Sequence, residues 1–415
     1  MWGLGAALYL IAFYQRVAPA VITGELSREF GLSGASLGNL SAFYFYGYVA
    51  VQIPTGLLAD RWGPRKVLTA GAALTALGTL LFALAPSLEF ANAGRLAIGA
   101  AGGVAFVAMM KLASHWMPAR QFAFATALAL FIGTLGATMA GAPLRVAVDA
   151  FGWRAVMVAS AAVTAAVAVA IWVIVRDDPA ESGYASYFAS DTHGTGAPSI
   201  AAQIREVFGY SNTWAMLVIP GALSGIVLAF AGLWGVPYLV TQYGFAPRGA
   251  ATVASAMLIT WAIGGLAFAS ISQRMGRRKR PIVAGLVATA LLWAVVVFVP
   301  GLSRTVLVAV LMATAFAAGA AMLTFPFAKE SVPPRLAGTV GGIANMGMML
   351  GGMLTQPVVG VVLDRHWHGA MAAGVRVYEP DAWRAGFGLM LGWAALALVV
   401  LAFVRERPAG RAAST

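Results

Sequence analysis

Long apolar runs broken by short polar or Gly- and Pro-bearing segments recur twelve times along the chain. One set lies near residues 2–23, 38–59, 67–85, 91–113, 123–145 and 154–175, and a second near 212–240, 249–272, 281–300, 305–327, 337–362 and 383–404. A helix that crosses the hydrocarbon core needs about 20 mostly apolar residues, and each run is close to that length. The pattern predicts an all-α membrane protein of twelve transmembrane helices in two six-helix halves. Between the sets lies a longer polar stretch, Arg176 to Ser211, whose Asp-Asp-Pro and Gly-rich Ser/Thr sequence reads as a linker. Within it, Ile200-Ala-Ala-Gln-Ile-Arg-Glu-Val-Phe208 has the spacing of a short interfacial helix. The expected organisation is an N-terminal half at 1–175, a cytoplasmic linker at 176–211 and a C-terminal half at 212–415.

The two sets match in detail. Gly56-Leu-Leu-Ala-Asp60-Arg61-Trp-Gly63-Pro-Arg65-Lys66 joins the second and third runs, and Gln273-Arg274-Met-Gly276-Arg277-Arg278-Lys279 stands 213 residues downstream. Gly136-Ala-Thr-Met-Ala-Gly-Ala-Pro143 in the fifth run pairs with Leu350-Gly-Gly-Met-Leu-Thr-Gln-Pro357 in the eleventh at an offset of 214. Two features at nearly one offset indicate an internal duplication, a pattern that recurs among secondary transporters with a central site.

Charge sharpens this picture. Only 10% of residues are charged, against about 25% in soluble domains. The net charge of +12 raises nucleic acid as a partner, but most of the 27 Lys and Arg fall in alternate connections and at the chain end, as the positive-inside rule expects of short loops. The partner is therefore a lipid bilayer and not nucleic acid. Both termini are expected in the cytoplasm, because the span count is even and Arg405, Arg407 and Arg411 follow the last run. The absence of Cys excludes disulfides and thiolate metal sites. The four His (His115, His193, His366 and His368) fall in loops or at helix ends, and no P-loop is present. Neither an enzyme nor a metal or cofactor site is expected.

The chain resembles the major facilitator superfamily over essentially its whole length. The superfamily signature G-x-L-x-D-R-x-G-R-K is matched by Gly56, Leu58, Asp60, Arg61, Gly63, Arg65 and Lys66, with Pro64 interposed. Arg95-Leu-Ala-Ile-Gly99 and Gly152-Trp153-Arg154 are further family-like features. The resemblance implies a plasma (inner) membrane location and alternating access. It also implies a conformational-switch loop at Gly56, Asp60, Arg61, Gly63, Arg65 and Lys66, with Asp60 as its carboxylate. In the second copy Gln273 replaces the acid, so an equal latch is not expected there.

Charges inside a span are costly and mark function. Tyr9, Phe13 and Arg16 share one helix face, with Arg16 only about 5 Å from the middle of its span. Tyr14-Gln-Arg16-Val-Ala-Pro19 is similar to first-span patterns in anion-handling branches of the superfamily, where such an arginine contacts the anionic group. A guanidinium suits a carboxylate or phosphate. The position 213 residues on is Ala229, however, which favours a monocarboxylate or zwitterion over a doubly charged ester. Tyr44, Tyr48 and Gln52 form a polar stripe at i, i+4 and i+8, and Trp234, Tyr238 and Asn345 are candidates from the other half. Gly235 and Pro237 offer a bend in the seventh helix. Arg95 is read either as a coupling residue or as a group reaching the outer interface. Lys111 and Arg145 are read as snorkelling, and Lys329-Glu330 as a local pair.

No Asp or Glu falls in the middle of a predicted span. That argues against a polyspecific cation exporter and leaves proton coupling without an evident carrier. The expected function is a monomeric secondary transporter of a small organic anion or zwitterion, with a coupling proton as a candidate partner. The alternative is a multidrug-type exporter of lipophilic compounds, for which the 17 Met and the many aromatics would form a tolerant cavity.

Overall fold

The computed structural model describes residues 1–184 and 200–406; for residues 53, 56, 57, 60, 119, 120, 123, 127, 200 and 201 only the helical backbone is described. Parts of the predicted linker, His193, Arg407 and Arg411, and the side chain of Asp60 with the surroundings of Gly56, lie outside the described residues.

The chain opens with α1 (Trp2–Val17), α2 (Thr23–Phe30), α3 (Gly34–Trp62), α4 (Pro64–Ala83), α5 (Leu88–Trp116), α6 (Ala119–Met139), α7 (Ala142–Phe151) and α8 (Trp153–Ile174). It continues with α9 (Ile200–Val207), α10 (Ser211–Ala229), α11 (Gly235–Tyr243), α12 (Pro247–Met275), α13 (Lys279–Phe298), α14 (Arg304–Ala318), α15 (Thr324–Glu330), α16 (Ala337–Arg365) and α17 (Pro380–Phe403). Helices α6 and α7, α10 and α11, and α14 and α15 are pairs within single crossings, so the described helices make twelve spans. Among the described residues, eleven segments are long and apolar enough to cross a membrane by length and composition. The twelfth, α3, has 29 residues, a length of about 43 Å at 1.5 Å per residue.

Two compact units emerge, Met1–Phe30 with Asn39–Ala197, and Gly31–Gly38 with Pro198–Thr415. Helix α3 thus contributes its first turn to the second unit and its remainder to the first. Small residues let helices approach closely within each unit, as membrane interfaces require.

Two elements fall outside the twelve-run pattern. Helix α2 is amphipathic and follows directly on the first span. Its Glu25 pairs with Arg145 at 2.8 Å, and Arg145 also holds Asp149 (2.6 Å) and the Val21 carbonyl (2.8 Å). Arg145 is therefore buried and paired, which corrects the snorkelling expectation. A two-stranded hairpin, β1 (Met371–Ala372) and β2 (Val375–Arg376), precedes α17.

Each unit closes its basic turn with an acid from beyond its own last helix. In the first, Asp177 accepts from the Arg65 backbone N–H at 2.5 Å, capping α4. In the second, Glu406 accepts from the backbone N–H groups of Arg278 and Lys279, capping α13. Glu330, expected to pair with its neighbour Lys329, pairs with Arg278 at 3.0 Å. Orphan N–H groups at a helix start need such acceptors. Asp177→Ala is expected to cost about 1 kcal/mol, read as a lower melting temperature of the detergent-purified protein, with Asp177→Asn intermediate. An unchanged melting temperature would refute the capping role.

Candidate functional site

The first unit gathers its functional side chains around Arg16. Helix α1 ends at Val17 and tightens into a 3-10 turn, Ala18–Val21, at Pro19, which has no N–H to extend the α-helical ladder. Arg16 therefore sits in the last helical turn, where the dipole favours a cation, and is only 7% exposed. Its guanidinium carbon lies 4.3 Å from the centre of the Phe13 ring and 5.5 Å from those of both Tyr44 and Tyr48. The two tyrosine rings stack at 6.2 Å, and the Tyr44 hydroxyl donates to the Ala12 carbonyl at 3.3 Å. Helix α5 comes close enough for this at Gly99, where a Cβ would collide with the Tyr44 carbonyl.

Arg95 presses on the same tyrosine. Its guanidinium carbon is 5.3 Å from the centre of the Tyr44 ring, and the residue is 1% exposed. It donates to the Gln15 carbonyl at 2.6 Å and the Ser41 carbonyl at 3.5 Å. Arg95 is thus buried, which rules out the reading that it reaches the outer interface. Beside it, the Gln15 amide donates to Thr79 (3.1 Å) and Ser160 (3.0 Å), so a polar network anchors the helix face next to Arg16.

The decisive property is electrostatic. The Nε atoms of Arg16 and Arg95 and the Ser41 hydroxyl are buried without hydrogen-bond partners. Among the described residues neither guanidinium has a carboxylate partner; the titratable neighbours are tyrosines. Each ring face stabilises a desolvated cation by about 2 kcal/mol, set against the several kcal/mol that burying each ion costs.

The remaining predicted residues land as follows. Gln52 is half-buried, one turn along α3 from Tyr48. In the second unit, the helix corresponding to α1 is also interrupted, by a π-helical turn at Phe230–Trp234 between α10 and α11. This is just before the expected bend at Gly235 and Pro237; π turns inside helices often mark functional sites. Trp234 is 1% exposed, and its indole N–H is committed to the Gln356 carbonyl at 3.0 Å. Tyr238 belongs to an aromatic cluster with Phe230, Tyr243, Trp383 and Phe387. Asn345 is half-buried on α16. Sequence reasoning missed Gln15 and Ser41; the adjacency of Gln15 to an intramembrane arginine was the signal available for the former.

In the basic turn, Gly63 adopts φ +80° at the start of α4. Arg65 donates to the Trp172 carbonyl at 3.0 and 2.6 Å and lies 4.5 Å from that indole's ring centre. Arg61 and Lys66 are exposed. Lys111 donates to the Ala59 carbonyl at 2.8 Å, engaging the last turns of α3 rather than snorkelling.

Comparison with known proteins agrees with this architecture. The family model described as Major Facilitator Superfamily matches residues 4–356 and 235–415. The chain is 24% identical over 385 residues to a probable sulfoacetate transporter, SauU, of Cupriavidus necator, spanning 88% of this chain and 86% of that protein. It is 25% identical over 393 residues to a probable galactarate/D-glucarate transporter, GarP, of Escherichia coli K12, spanning 85% of each. A crystal structure of a bacterial homologue of the human lysosomal transporter Spinster, inward-facing and unoccupied, superposes with a TM-score of 0.75 at 18% identity, covering 96% of this chain and 95% of that one.

Proposed function

Because the chain belongs to the major facilitator superfamily and is a multi-pass membrane transporter, we propose that it moves a small organic anion or zwitterion across the plasma membrane by alternating access. The observation that carries this reading is the pair of buried guanidinium groups against Tyr44, neither with a carboxylate partner among the described residues. Arg16 holds the anionic group of the solute, and Phe13, Tyr44 and Tyr48 wall it. Arg95 fixes the Gln15 carbonyl and with it the register of the residue next to Arg16. The relatives named as sulfoacetate and galactarate/D-glucarate transporters support an organic anion as the solute class. Both termini lie in the cytoplasm and the protein acts as a monomer in this proposal, with a proton as the candidate coupling ion and Arg95 as the candidate coupling residue. The residues 1–175 and 212–415 form the two transporting halves, with 176–211 between them. Trp234 supports its half by packing, since its N–H is already used, while Tyr238 and Asn345 remain candidates for solute contact.

The test is uptake into proteoliposomes of a carboxylate or sulfonate, each against its neutral amide analogue, with and without an imposed pH gradient. Saturable uptake restricted to the anions is expected, and Tyr48→Phe should raise KM about threefold to tenfold through loss of a buried hydroxyl. Uptake of lipophilic compounds without any anionic requirement would overturn the reading in favour of an exporter.

A further inference from the structure

A cavity of about 560 Å³ lies wholly in the second unit. It is bounded by the last turns of α11, the end of α13 with its following loop, and the first turns of α17. Its volume falls in the range of small-molecule pockets. Tyr238, Tyr243, Trp383 and Phe387 give it aromatic walls, and Arg304 and Arg384 give it charge. Among the described residues no carboxylate lines it.

The polar groups are set up to receive something. Arg304 is fixed by donating to the carbonyls of Tyr243 (2.8 Å) and Gly244 (2.9 Å), and its guanidinium carbon lies 5.3 Å from the centre of the Phe245 ring. Arg384 gives one nitrogen to Asp381 at 3.0 Å, and Asp381 is 83% exposed in its side chain. Trp383 is 2% exposed, and its indole N–H is buried without an acceptor.

We propose that this cavity is a second anion site. It takes a small carboxylate or sulfonate with a planar or apolar body, the anionic group toward Arg384 and the body against Tyr238, Trp383 and Phe387. The proposal rests on the organic-anion reading of transport, for which it is a station that collects the same class of solute.

Benzoate binding by titration calorimetry tests it, on the full-length purified protein, with benzamide as the neutral control. Arg16→Ala protein is expected to retain benzoate binding, and adding Arg384→Gln should weaken that binding about tenfold or more. Arg384→Lys should restore part of it, which excludes simple misfolding. Absence of binding in Arg16→Ala, or indifference to Arg384→Gln, would overturn the site. So would native mass spectrometry showing one phosphatidylglycerol per chain that Arg384→Gln releases, because a lipid headgroup would then be the occupant. The central reading is judged separately, by the effect of Arg16→Ala on transport.

Discussion

Arg16→Ala is expected to lower kcat/KM for anion transport by on the order of 100-fold or more, while leaving the melting temperature of the empty protein unchanged or raised. The two halves of that result come from one fact. Arg16 is buried on aromatic rings with no carboxylate partner among the described residues. Truncating one member of a buried charge pair costs about 2–5 kcal/mol of binding, so the loss appears once the solute's anionic group is the partner. Without solute, removing an uncompensated buried cation relieves its desolvation cost. A structural arginine would do the reverse: its loss would lower the melting temperature and affect transport only through folding. Arg16→Lys keeps the charge but not the plane that lies against Phe13, and a point ammonium cannot offer the guanidinium fork. It should recover a minor part of the activity. Proteoliposome flux and thermal unfolding, measured on the same preparations, decide between the two roles.

The second large effect is expected at Asp364. Its carboxylate accepts from the backbone N–H groups of Gly34 (2.9 Å) and Ala35 (2.8 Å), from the Tyr378 hydroxyl (2.9 Å) and from Arg376 (3.0 Å). Gly34 and Gly360 bring the backbones together, since a Cβ on Gly360 would collide with the Gly34 carbonyl. Burial and the Asp364 carboxylate push the Tyr378 phenol above its usual range, which keeps it a donor. Asp364→Ala leaves the first orphan N–H groups of α3 and the phenol of a buried tyrosine without their acceptor. A loss of about 3 kcal/mol is expected, with Asp364→Asn milder because one acceptor oxygen survives. Tyr44 and Tyr48 ride on the same helix, so KM should also rise. A melting temperature within error of the parent for Asp364→Ala would remove Asp364 from any anchoring role.

The spans were legible because lipid imposes a length and a composition on each of them. Arg16 was legible for the same reason: a charge near mid-span stands out against apolar neighbours. What stayed hidden depends on partners distant in sequence. Nothing near Arg145 announces Glu25, 120 residues earlier, and α2 is too short and polar to register as a run. The basic turns drew attention to the acid inside the first motif and to Gln273 in the second. Yet the described caps come from Asp177 and Glu406, at the ends of the last helix in each set. The π turn at Phe230–Trp234 was anticipated only as a bend, because glycine and proline mark weakness without specifying which backbone geometry fills it. Pairing of Trp234 with Gln356 was equally invisible, since an indole's need for an acceptor does not say where one lies.

The caps of the basic turns and the anchoring of α3 have opposite consequences for cutting this chain in two. A break placed between Tyr184 and Ile200 would leave Asp177 with Arg65 on one fragment and Glu406 with Arg278 on the other, so each fragment keeps its own closures. The start of α3, however, would lie on the first fragment while its capping carboxylate, Asp364, lies on the second. Fragments made apart would each be missing one side of that bond, whereas fragments made together carry both sides. The first turn of α3 is thus joined by the chain to one half and by its hydrogen bonds to residues of the other.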